Sequence, residues 1–251
     1  SHREHRGHRE RSIMTMVLTK FKEESYSPVS IVWRYLDFSK FVDMLDSKCL
    51  FFIRLSKLRE FDPYEGSIVP FVHLYEEGKS SKIIRESDEG FPNECFVSCW
   101  YLSDIESAAL WKLFLKSNEG IAIKSTMYGL SNSIASKNSE KSIWMGSVAY
   151  GYEEARRRVK DMNSGIPGDY LAFTKRKCFE HEKELRLAIF DDSIPANQEG
   201  VKIKIDLNSM ISEIIVGPEA PVWMERLVKR VLKKYGFYFE VRKSFLNQLT
   251  V

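Results

Sequence analysis

The spacing of apolar residues predicts short strands that alternate with helices through most of the chain. Residues 31–36, IVWRYL, combine β-branched and aromatic side chains, which is typical of a strand. Phe38, Phe41 and Leu45 then recur at helical intervals, and the apolar run CLFFIRL follows at 49–55. The pattern therefore predicts a strand, a helix and a second strand in succession.

Comparable patterns continue to the end of the chain. Helices are predicted at 103–117 and at 222–236, where Gly236 ends the second helix. Polar loops are predicted at 76–90 and 131–142. Further strands are predicted at 93–100, 118–125, 143–151, 201–207, 211–218 and 237–244.

The order of these elements predicts one domain of the α+β class. No internal repeat or break in composition separates two halves, so residues 26–251 are expected to form a single domain. Its central sheets should be mixed or mainly antiparallel, with flanking helices. Residues 1–25 are predicted to be a disordered or tag-derived leader, because they are rich in His and Arg and lack an apolar core.

The most informative segment is KRKCFEHEKELRLAIF, at 175–190. Glu180, Glu182, Glu184 and Arg186 lie two apart, and apolar residues alternate with the last of them. In a strand, three carboxylates and a guanidinium would share one face. Such crowded like charges cost free energy unless a cation, a ligand or a bound proton offsets them. The segment is a candidate active-site edge, or alternatively a helix end in which Glu182 and Arg186 pair four residues apart.

Charge and cysteine content narrow the function classes. The formal net charge is +3 over 251 residues, and four arginines against two glutamates in the first twelve residues supply most of it. The bulk charge thus gives no sign of duplex binding, although local basic patches stay open. Four scattered cysteines predict neither a disulfide scaffold nor a zinc site. No segment approaches the roughly 20 apolar residues of a membrane span, so we expect a cytoplasmic protein with no membrane partner.

The first two predicted strands carry candidate binding residues. Arg34 lies between Trp33 and Tyr35, which share the other face of the strand. An arginine beside aromatic rings can hold a phosphate and stack on a base, or the rings simply pack while the arginine is solvated. Arg54 and Ser56 share one face of the second strand and the turn after it, with the same two interpretations.

The loop after the second strand and one cysteine are further candidates. Asp62 and Glu65 could anchor a ligand hydroxyl or a cation, or Asp62 could cap an ordinary Asp-Pro turn. Cys99 precedes a predicted helix and is either a reactive thiolate or a buried structural cysteine. The chain has neither a nucleophile-elbow serine nor a phosphate-binding glycine loop, which disfavours a hydrolase triad or a nucleotide triphosphatase.

Several motifs together resemble a mainly bacterial family that is known only as a domain of unknown function. The first three are an aromatic-basic-aromatic strand at Trp33 to Tyr35, an Asp-Pro-aromatic-Glu loop at Asp62 to Glu65 and a Cys-Phe-x-Ser strand at Cys95 to Ser98. A Trp-x-x-aromatic helix at Trp111 to Phe114 and a Gly-hydrophobic strand at Gly120 and Ile121 follow. The last two are Glu-x-Glu-x-Arg at Glu182 to Arg186 and Ile-Ile-x-Gly at Ile214 to Gly217. This chain departs from the family by having Phe61 where an Asn usually precedes Asp-Pro.

The order of these motifs is also similar to that of ADP-ribosyltransferases. That similarity implies that Glu184 is the catalytic carboxylate and Glu182 its partner. It implies that Arg34 holds the phosphates of NAD and that Tyr35 stacks near nicotinamide. The cofactor site predicted on this basis is completed by Arg54, Ser56, Asp62 and Arg186.

Three hypotheses about function follow. The first is an NAD-dependent ADP-ribosyltransferase-like enzyme, a bacterial toxin or phage-defence effector that modifies a protein or a nucleic acid. The second is a non-catalytic module that binds a protein or a ligand. The third is a metal-dependent nuclease with Asp62, Glu65, Glu182 and Glu184 as its carboxylate cluster. The acceptor and the oligomeric state are left open.

Overall fold

The computed structural model describes residues 19–20, 27–67, 90–135, 142–160 and 168–247. Apart from residues 19–20, the predicted leader lies outside the described residues. So does most of the predicted loop at 76–90.

Twelve strands form within the described residues. They are β1 Thr19–Lys20, β2 Ile31–Asp37, β3 Cys49–Arg54, β4 Cys95–Leu102, β5 Gly120–Thr126, β6 Trp144–Ser147, β7 Ala149–Tyr150, β8 Thr174–Lys175, β9 Glu184–Phe190, β10 Gly200–Lys204, β11 Glu213–Val216 and β12 Val241–Lys243.

The α-helices within the described residues include α1 Phe38–Ser47, α2 Ala108–Phe114, α3 Met127–Ala135, α4 Tyr152–Lys160, α5 Gly168–Leu171, α6 Leu207–Met210 and α7 Met224–Lys234. Stretches of 3₁₀ helix in the same part of the chain cover Leu55–Glu60, Lys177–Glu182 and Phe245–Asn247.

Ten of the strands belong to one large sheet. Its main path runs β1-β6-β9-β4-β2-β5-β11-β12, while β3 pairs with β4 and carries β10 on its other edge. The β1–β6 and β11–β12 pairs are parallel, and the other pairs in this sheet are antiparallel. The short β7 and β8 form a separate parallel pair. The prediction of an α+β domain with a mainly antiparallel sheet is confirmed.

The two faces of the large sheet differ in chemistry. Along β9, Leu185, Leu187 and Ile189 enter the main apolar core, which α1, α3, α6 and α7 cover. Because side chains alternate along a strand, Glu184 and Arg186 project from the opposite face. Within the described residues, smaller apolar clusters also surround Trp33 and Trp111 in one place and Phe173 and Leu55 in another. We call the face that carries Glu184 and Arg186 the polar face.

The sheet forks where β2 and β3 leave β4. Strand β2 pairs with β4 at Tyr101 and Leu102, whereas β3 pairs with the same strand at Phe96 and Val97. The residues between these positions, 98–100, pair with neither strand in the described registers. These residues pair with β9 on their other edge, so the backbone groups that face the fork need partners other than a strand.

Two of the predicted elements are wrong in part. The predicted strand of the 175–190 segment begins only at Glu184, because residues 177–182 form a 3₁₀ helix instead. The predicted polar loop at 131–142 begins within α3, where Ser133 and Ile134 are buried.

Candidate active site

The centre of the polar face is an ion pair formed within β9. The Nε atom of Arg186 donates to Oε2 of Glu184 at 2.6 Å. The two residues lie two apart in the strand, so its alternation brings their side chains to one side. Glu184 is 5% exposed and Arg186 is completely buried. Two charges are therefore held out of water and depend on each other and on their neighbours.

Glu65 supplies a second carboxylate from the loop after β3. Arg186 Nη1 donates to Oε1 of Glu65 at 2.7 Å and to the carbonyl of Ala172 at 2.7 Å. Glu65 is itself buried. The other terminal nitrogen of Arg186, Nη2, is buried and has no hydrogen-bond partner among the described residues. The guanidinium thus joins two carboxylates and keeps one donor free.

Lys175, at the end of β8, lies between three carboxylates. Its Nζ atom is 2.5 Å from Oε2 of Glu182, 2.8 Å from Oε1 of Glu184 and 3.7 Å from Oε2 of Glu65. Two cations therefore face three acids. The cluster has one more acid than base, and a bound proton can remove the excess.

Lys183 makes the convergence of Glu182 and Glu184 possible. It adopts a left-handed conformation with φ of 39° and ends the 3₁₀ helix, immediately before β9 begins. The two glutamates thus come from different elements, yet both reach the same ammonium group.

The two neighbouring carboxyls differ in their affinity for protons. Burial raises the pKa of Glu182 to about 8, and its hydrogen bond and repulsion with Glu184 act in the same direction. Burial also acts to raise the pKa of Glu184, but attraction to Arg186 and Lys175 outweighs it and holds this pKa well below its ordinary value. At neutral pH the site therefore pairs a protonated Glu182 with an ionised Glu184.

Tyr150 and Cys99 border Glu184. The backbone N–H of Glu184 donates to the Tyr150 hydroxyl at 2.7 Å, which fixes the start of β9. Burial raises the pKa of the Cys99 thiol far above its ordinary value, and the Glu184 carboxylate adds to the shift. Cys99 is thus a thiol, and the structural interpretation of this cysteine is favoured over a reactive thiolate.

The Asp-Pro loop forms the rim of the cluster. Asp62 accepts a hydrogen bond from the backbone N–H of Tyr64 at 3.1 Å, as expected for a capped turn. The same side chain pairs with Nη2 of Arg176 at 2.8 Å. The guanidinium of Arg176 lies 5.2 Å from the ring centroid of Tyr64 and 5.4 Å from that of Phe179. Phe61, at the position where the family usually has Asn, is 81% exposed.

Arg34 lies on the opposite face of the sheet from Glu184. It shares its face with the main core, and its guanidinium carbon is 5.6 Å from the ring centroid of Trp100. Its nitrogens donate to the Ser98 hydroxyl and to the carbonyls of Cys99 and Phe51, both at 3.3 Å. Burial lowers its pKa to about 10. Arg34 thus satisfies backbone groups at the fork between β2 and β3.

Tyr35 shares the polar face, but its hydroxyl is already engaged. It accepts a hydrogen bond from the backbone N–H of Ser107, the residue that caps α2, at 2.8 Å. Its ring meets that of Trp111 edge-on, with the centroids 4.9 Å apart. These contacts hold α2 against the sheet.

Arg54 is engaged away from the carboxylates, with its guanidinium over the ring of Phe96. Arg54 is buried, and its guanidinium donates to the carbonyls of Gln198 at 2.9 Å, Pro195 at 2.6 Å and Asn93. Ser56 follows it in the 3₁₀ helix that begins at Leu55. Of the predicted site residues, the structure brings together Glu182, Glu184 and Arg186, with Asp62 at the rim. It does not bring Arg34 or Arg54 to them.

Sequence reasoning missed Lys175 and Arg176 and did not connect Glu65 with Arg186. A signal for the two cations was present, since they begin the basic run that precedes the Glu-rich segment. Glu65 lies 121 positions from Arg186 in the chain, and periodicity carries no information about such a pair.

Lys175 also bears on the metal hypothesis. Its ammonium lies where the three glutamates converge and so occupies the place that a metal ion bound by them would take. In the part of the chain that the structure describes, no three His, Cys, Asp or Glu side chains are arranged to hold a metal ion. No helix there is both long and apolar enough to cross a bilayer.

Comparisons with known proteins identify no family. No protein-family model and no curated protein matches the sequence, so membership of the family of unknown function stays a prediction. Two solved structures of DarT from Thermus sp. 2.9 are similar, one in complex with ADP-ribosylated single-stranded DNA and the other with carba-NAD+.

Each DarT chain is 10% identical to the present chain, and each alignment covers 87% of the present chain. The alignments cover 95% and 97% of the DarT chains, with TM-scores of 0.40 and 0.39. Similarity at this level assigns no activity.

Proposed function

We propose that this chain is an ADP-ribosyltransferase-like enzyme that uses NAD as its substrate, with Glu184 as the catalytic carboxylate. One observation carries the proposal: a buried, ionised Glu184 is held by Lys175 and Arg186 directly beside Glu182, whose pKa is raised to about 8. Two adjacent carboxyls with separated pKa values are the usual basis for distinct roles in one reaction.

Glu184 suits the stabilisation of a developing cation. When the bond between ribose and nicotinamide breaks, nicotinamide leaves with the bonding pair and positive charge develops on the ribose ring. A carboxylate that is already fixed needs no reorganisation to offset that charge. Arg186 and Lys175 keep Glu184 ionised and in place despite its burial.

Glu182 suits proton transfer at the acceptor. The acceptor nucleophile forms the new bond to ribose and loses a proton, which ionised Glu182 takes up. Because the pKa of Glu182 is about 8, the ionised fraction rises as pH increases through that value. We therefore expect transfer, measured at saturating NAD, to rise between pH 7 and pH 9 and to lose this rise in Glu182→Gln.

Two features of the site fit a bound dinucleotide. The Nη2 atom of Arg186 is a buried donor without a partner among the described residues, and a ribose hydroxyl oxygen would satisfy it. Arg176, between the rings of Tyr64 and Phe179, offers a cation and flat surfaces at the rim. We assign these groups to NAD binding in preference to Arg34, which lies on the other face.

The decisive experiment compares Glu184→Gln with Glu180→Gln. Glu180 belongs to the same segment but is exposed and pairs with Lys177, so its substitution controls for charge. Nicotinamide release from NAD is measured with and without cell extract as a source of acceptor. Loss of a preorganised electrostatic group costs about 100-fold or more in rate, and we expect that loss in Glu184→Gln while Glu180→Gln retains wild-type turnover.

Folding must be separated from catalysis in this comparison, because Gln at position 184 leaves Arg186 and Lys175 short of a negative charge. The melting temperature and near-ultraviolet circular dichroism of each variant are therefore recorded, together with the shift in melting temperature that NAD causes. A folded Glu184→Gln that binds NAD without consuming it supports the proposal. A wild-type chain that neither binds nor consumes NAD, with or without extract, contradicts it.

A toxin or defence role makes a separate prediction about cells. Induced expression of the wild-type chain in bacteria should arrest growth, whereas Glu184→Gln at equal abundance should not. Equal growth of both cultures would reject the toxin role while leaving the chemical proposal to the assay above.

A non-catalytic binding module is the second candidate, and one observation favours it. Both oxygens of Glu184 are already bound by protein cations, so the cluster can serve simply to join the Asp-Pro loop to β9. This alternative expects Glu184→Gln to keep its cellular activity if it folds, while substitutions on the exposed rim at Tyr64 and Arg176 abolish it.

A further inference from the structure

One face of α7 is strongly basic. Arg226, Lys229, Arg230, Lys233 and Lys234 are all exposed, and their spacing of three or four residues places them on one side of the helix. The other side buries its apolar residues in the main core. We call these five residues the α7 basic face.

Trp223 occupies an unusual position beside this face. It is the N-cap residue of α7 and makes no side-chain capping hydrogen bond. Ser, Thr, Asp or Asn at this position usually stabilises a helix by about 1 kcal/mol relative to apolar residues. Trp223 is 46% exposed, and at 100° per residue it falls between Arg230 and Lys234 when viewed down the helix axis.

Helix stability explains only part of this arrangement. Lys233 and Lys234 lie in the last turn, where positive charge is favourable. Arg226 lies near the N-terminus, where the helix dipole disfavours a cation. Within the described residues, Lys229 is the member of the face that forms an ion pair, with Glu225 at 2.6 Å. Four cations and an exposed tryptophan thus remain available to a partner.

We propose that the α7 basic face binds single-stranded nucleic acid. Cations that recur every turn, about 5.4 Å apart, suit a run of backbone phosphates, and Trp223 offers a surface on which an unpaired base can stack. A membrane is disfavoured, because a helix that binds a bilayer needs its apolar side free. Here Met224, Val228 and Leu232 fill the protein core.

The α7 basic face is independent of the proposed NAD site. Helix α7 packs on the main-core face of the sheet, opposite to the polar face that carries Glu184. A strand held on α7 is therefore docked away from the carboxylates. The inference goes beyond the proposed function, and its test contains no NAD.

The test measures anisotropy of a fluorescein-labelled 20-nucleotide strand, as DNA and as RNA, over a range of salt concentrations. The triple variant Arg226→Gln, Arg230→Gln, Lys233→Gln removes three phosphate contacts. Counterion release predicts that the slope of log affinity against log salt falls in magnitude by about 2, with binding about tenfold or more weaker at 0.1 M salt. Trp223→Ala should weaken binding about fivefold or more.

A matched control removes the same charge elsewhere. Lys40→Gln, Lys112→Gln, Lys116→Gln substitutes three exposed lysines outside α7 and should keep wild-type affinity. The proposal is overturned if this control loses as much affinity as the α7 triple variant, or if the α7 variant binds like wild type. It is also overturned if a duplex or vesicles containing phosphatidylserine bind as tightly as the strand. All substituted side chains are exposed, and melting temperatures verify that the variants fold.

Discussion

At the scale of single residues, Lys175 is the side chain that balances the acidic cluster. Replacing it with Met leaves Glu65, Glu182 and Glu184 with Arg186 as their remaining cation in the cluster. Removing one partner of a buried ion pair costs about 3–5 kcal/mol. We expect Lys175→Met to lower the free energy of unfolding in urea by about 3 kcal/mol or more.

Lys177→Met is the control for that measurement. Lys177 is two residues away and exposed, and its pair with Glu180 is at the surface, so its loss should cost less than about 1 kcal/mol. Similar unfolding midpoints for Lys175→Met and Lys177→Met would show that the cluster is not closely coupled.

Glu182 makes stability depend on pH. Its pKa is raised from 4.5 to about 8 in the folded chain, so the folded state keeps a proton that the unfolded state has lost between these values. Because the unfolded state then binds fewer protons, the free energy of unfolding falls as pH rises from about 5 to 8. Glu184 acts in the opposite sense, but its lowered pKa affects stability only at acid pH.

Urea unfolding at pH 5.5, 7 and 8.5 tests this dependence. In Glu182→Gln the free energy of unfolding should decline less with pH, and at pH 8.5 this variant should be more stable than wild type. Glu180→Gln should decline as wild type does. An equal decline in Glu182→Gln and wild type would mean that another group causes it.

At the scale of elements, periodicity predicted most strands and failed at specific places. The predicted strands at 31–36 and 201–207 correspond to β2 and β10, where β-branched and apolar residues alternate or cluster. The strand prediction failed at 177–182 because His181 and Lys183, which alternate with the glutamates there, are polar and exposed, so that stretch has no apolar strand face to bury. Helix α3 was missed because its apolar residues are interspersed with Ser and Asn, and burial against α6 rather than local propensity stabilises it.

Arg54 joins β3 to two irregular segments of the chain. Its guanidinium binds carbonyls from the segment before β4 and from the connection between β9 and β10. Arg54→Leu leaves these buried acceptors unpaired, at about 1–3 kcal/mol each. We expect a loss of about 2–4 kcal/mol in urea unfolding, together with faster proteolysis between β9 and β10.

The neighbouring surface pair provides the control. Lys57→Gln removes an exposed contact with Glu199 at 3.4 Å and should change stability by less than about 1 kcal/mol. An Arg54→Leu variant of unchanged stability that no longer binds NAD would instead restore the cofactor role that the sequence suggested.

At the scale of the whole molecule, the sheet separates two candidate functions. Glu184 lies on the polar face and the α7 basic face is on the other side of the sheet. Both proposals together predict a double dissociation. Glu184→Gln should lose NAD turnover and keep its affinity for the labelled strand, and the α7 triple variant should do the reverse.

The assays of nicotinamide release and anisotropy on the same preparations check this separation. Loss of both activities in either variant, at unchanged melting temperature, would mean that the two faces are coupled. Unchanged strand binding in both variants, with NAD turnover lost in Glu184→Gln alone, would reject the α7 assignment and leave the NAD proposal standing.

The separation of faces also explains what the sequence could reveal about the site. Strand alternation alone pairs Glu184 with Arg186, and it places Arg34 opposite Tyr35. Whether Arg34 and Glu184 share a face depends on how β2, β4 and β9 align, which is a tertiary property. The same holds for Lys175 and Glu65, which reach the cluster from separate parts of the chain.

The left-handed backbone of Lys183 limits which sequences can build this cluster. At φ of 39°, glycine or asparagine can replace lysine with little strain, whereas valine, isoleucine or threonine would crowd the backbone. The spacer in Glu-x-Glu is therefore a conformational requirement rather than an arbitrary residue. A distant chain with the same two acids but a β-branched residue between them would carry the motif's letters without its geometry.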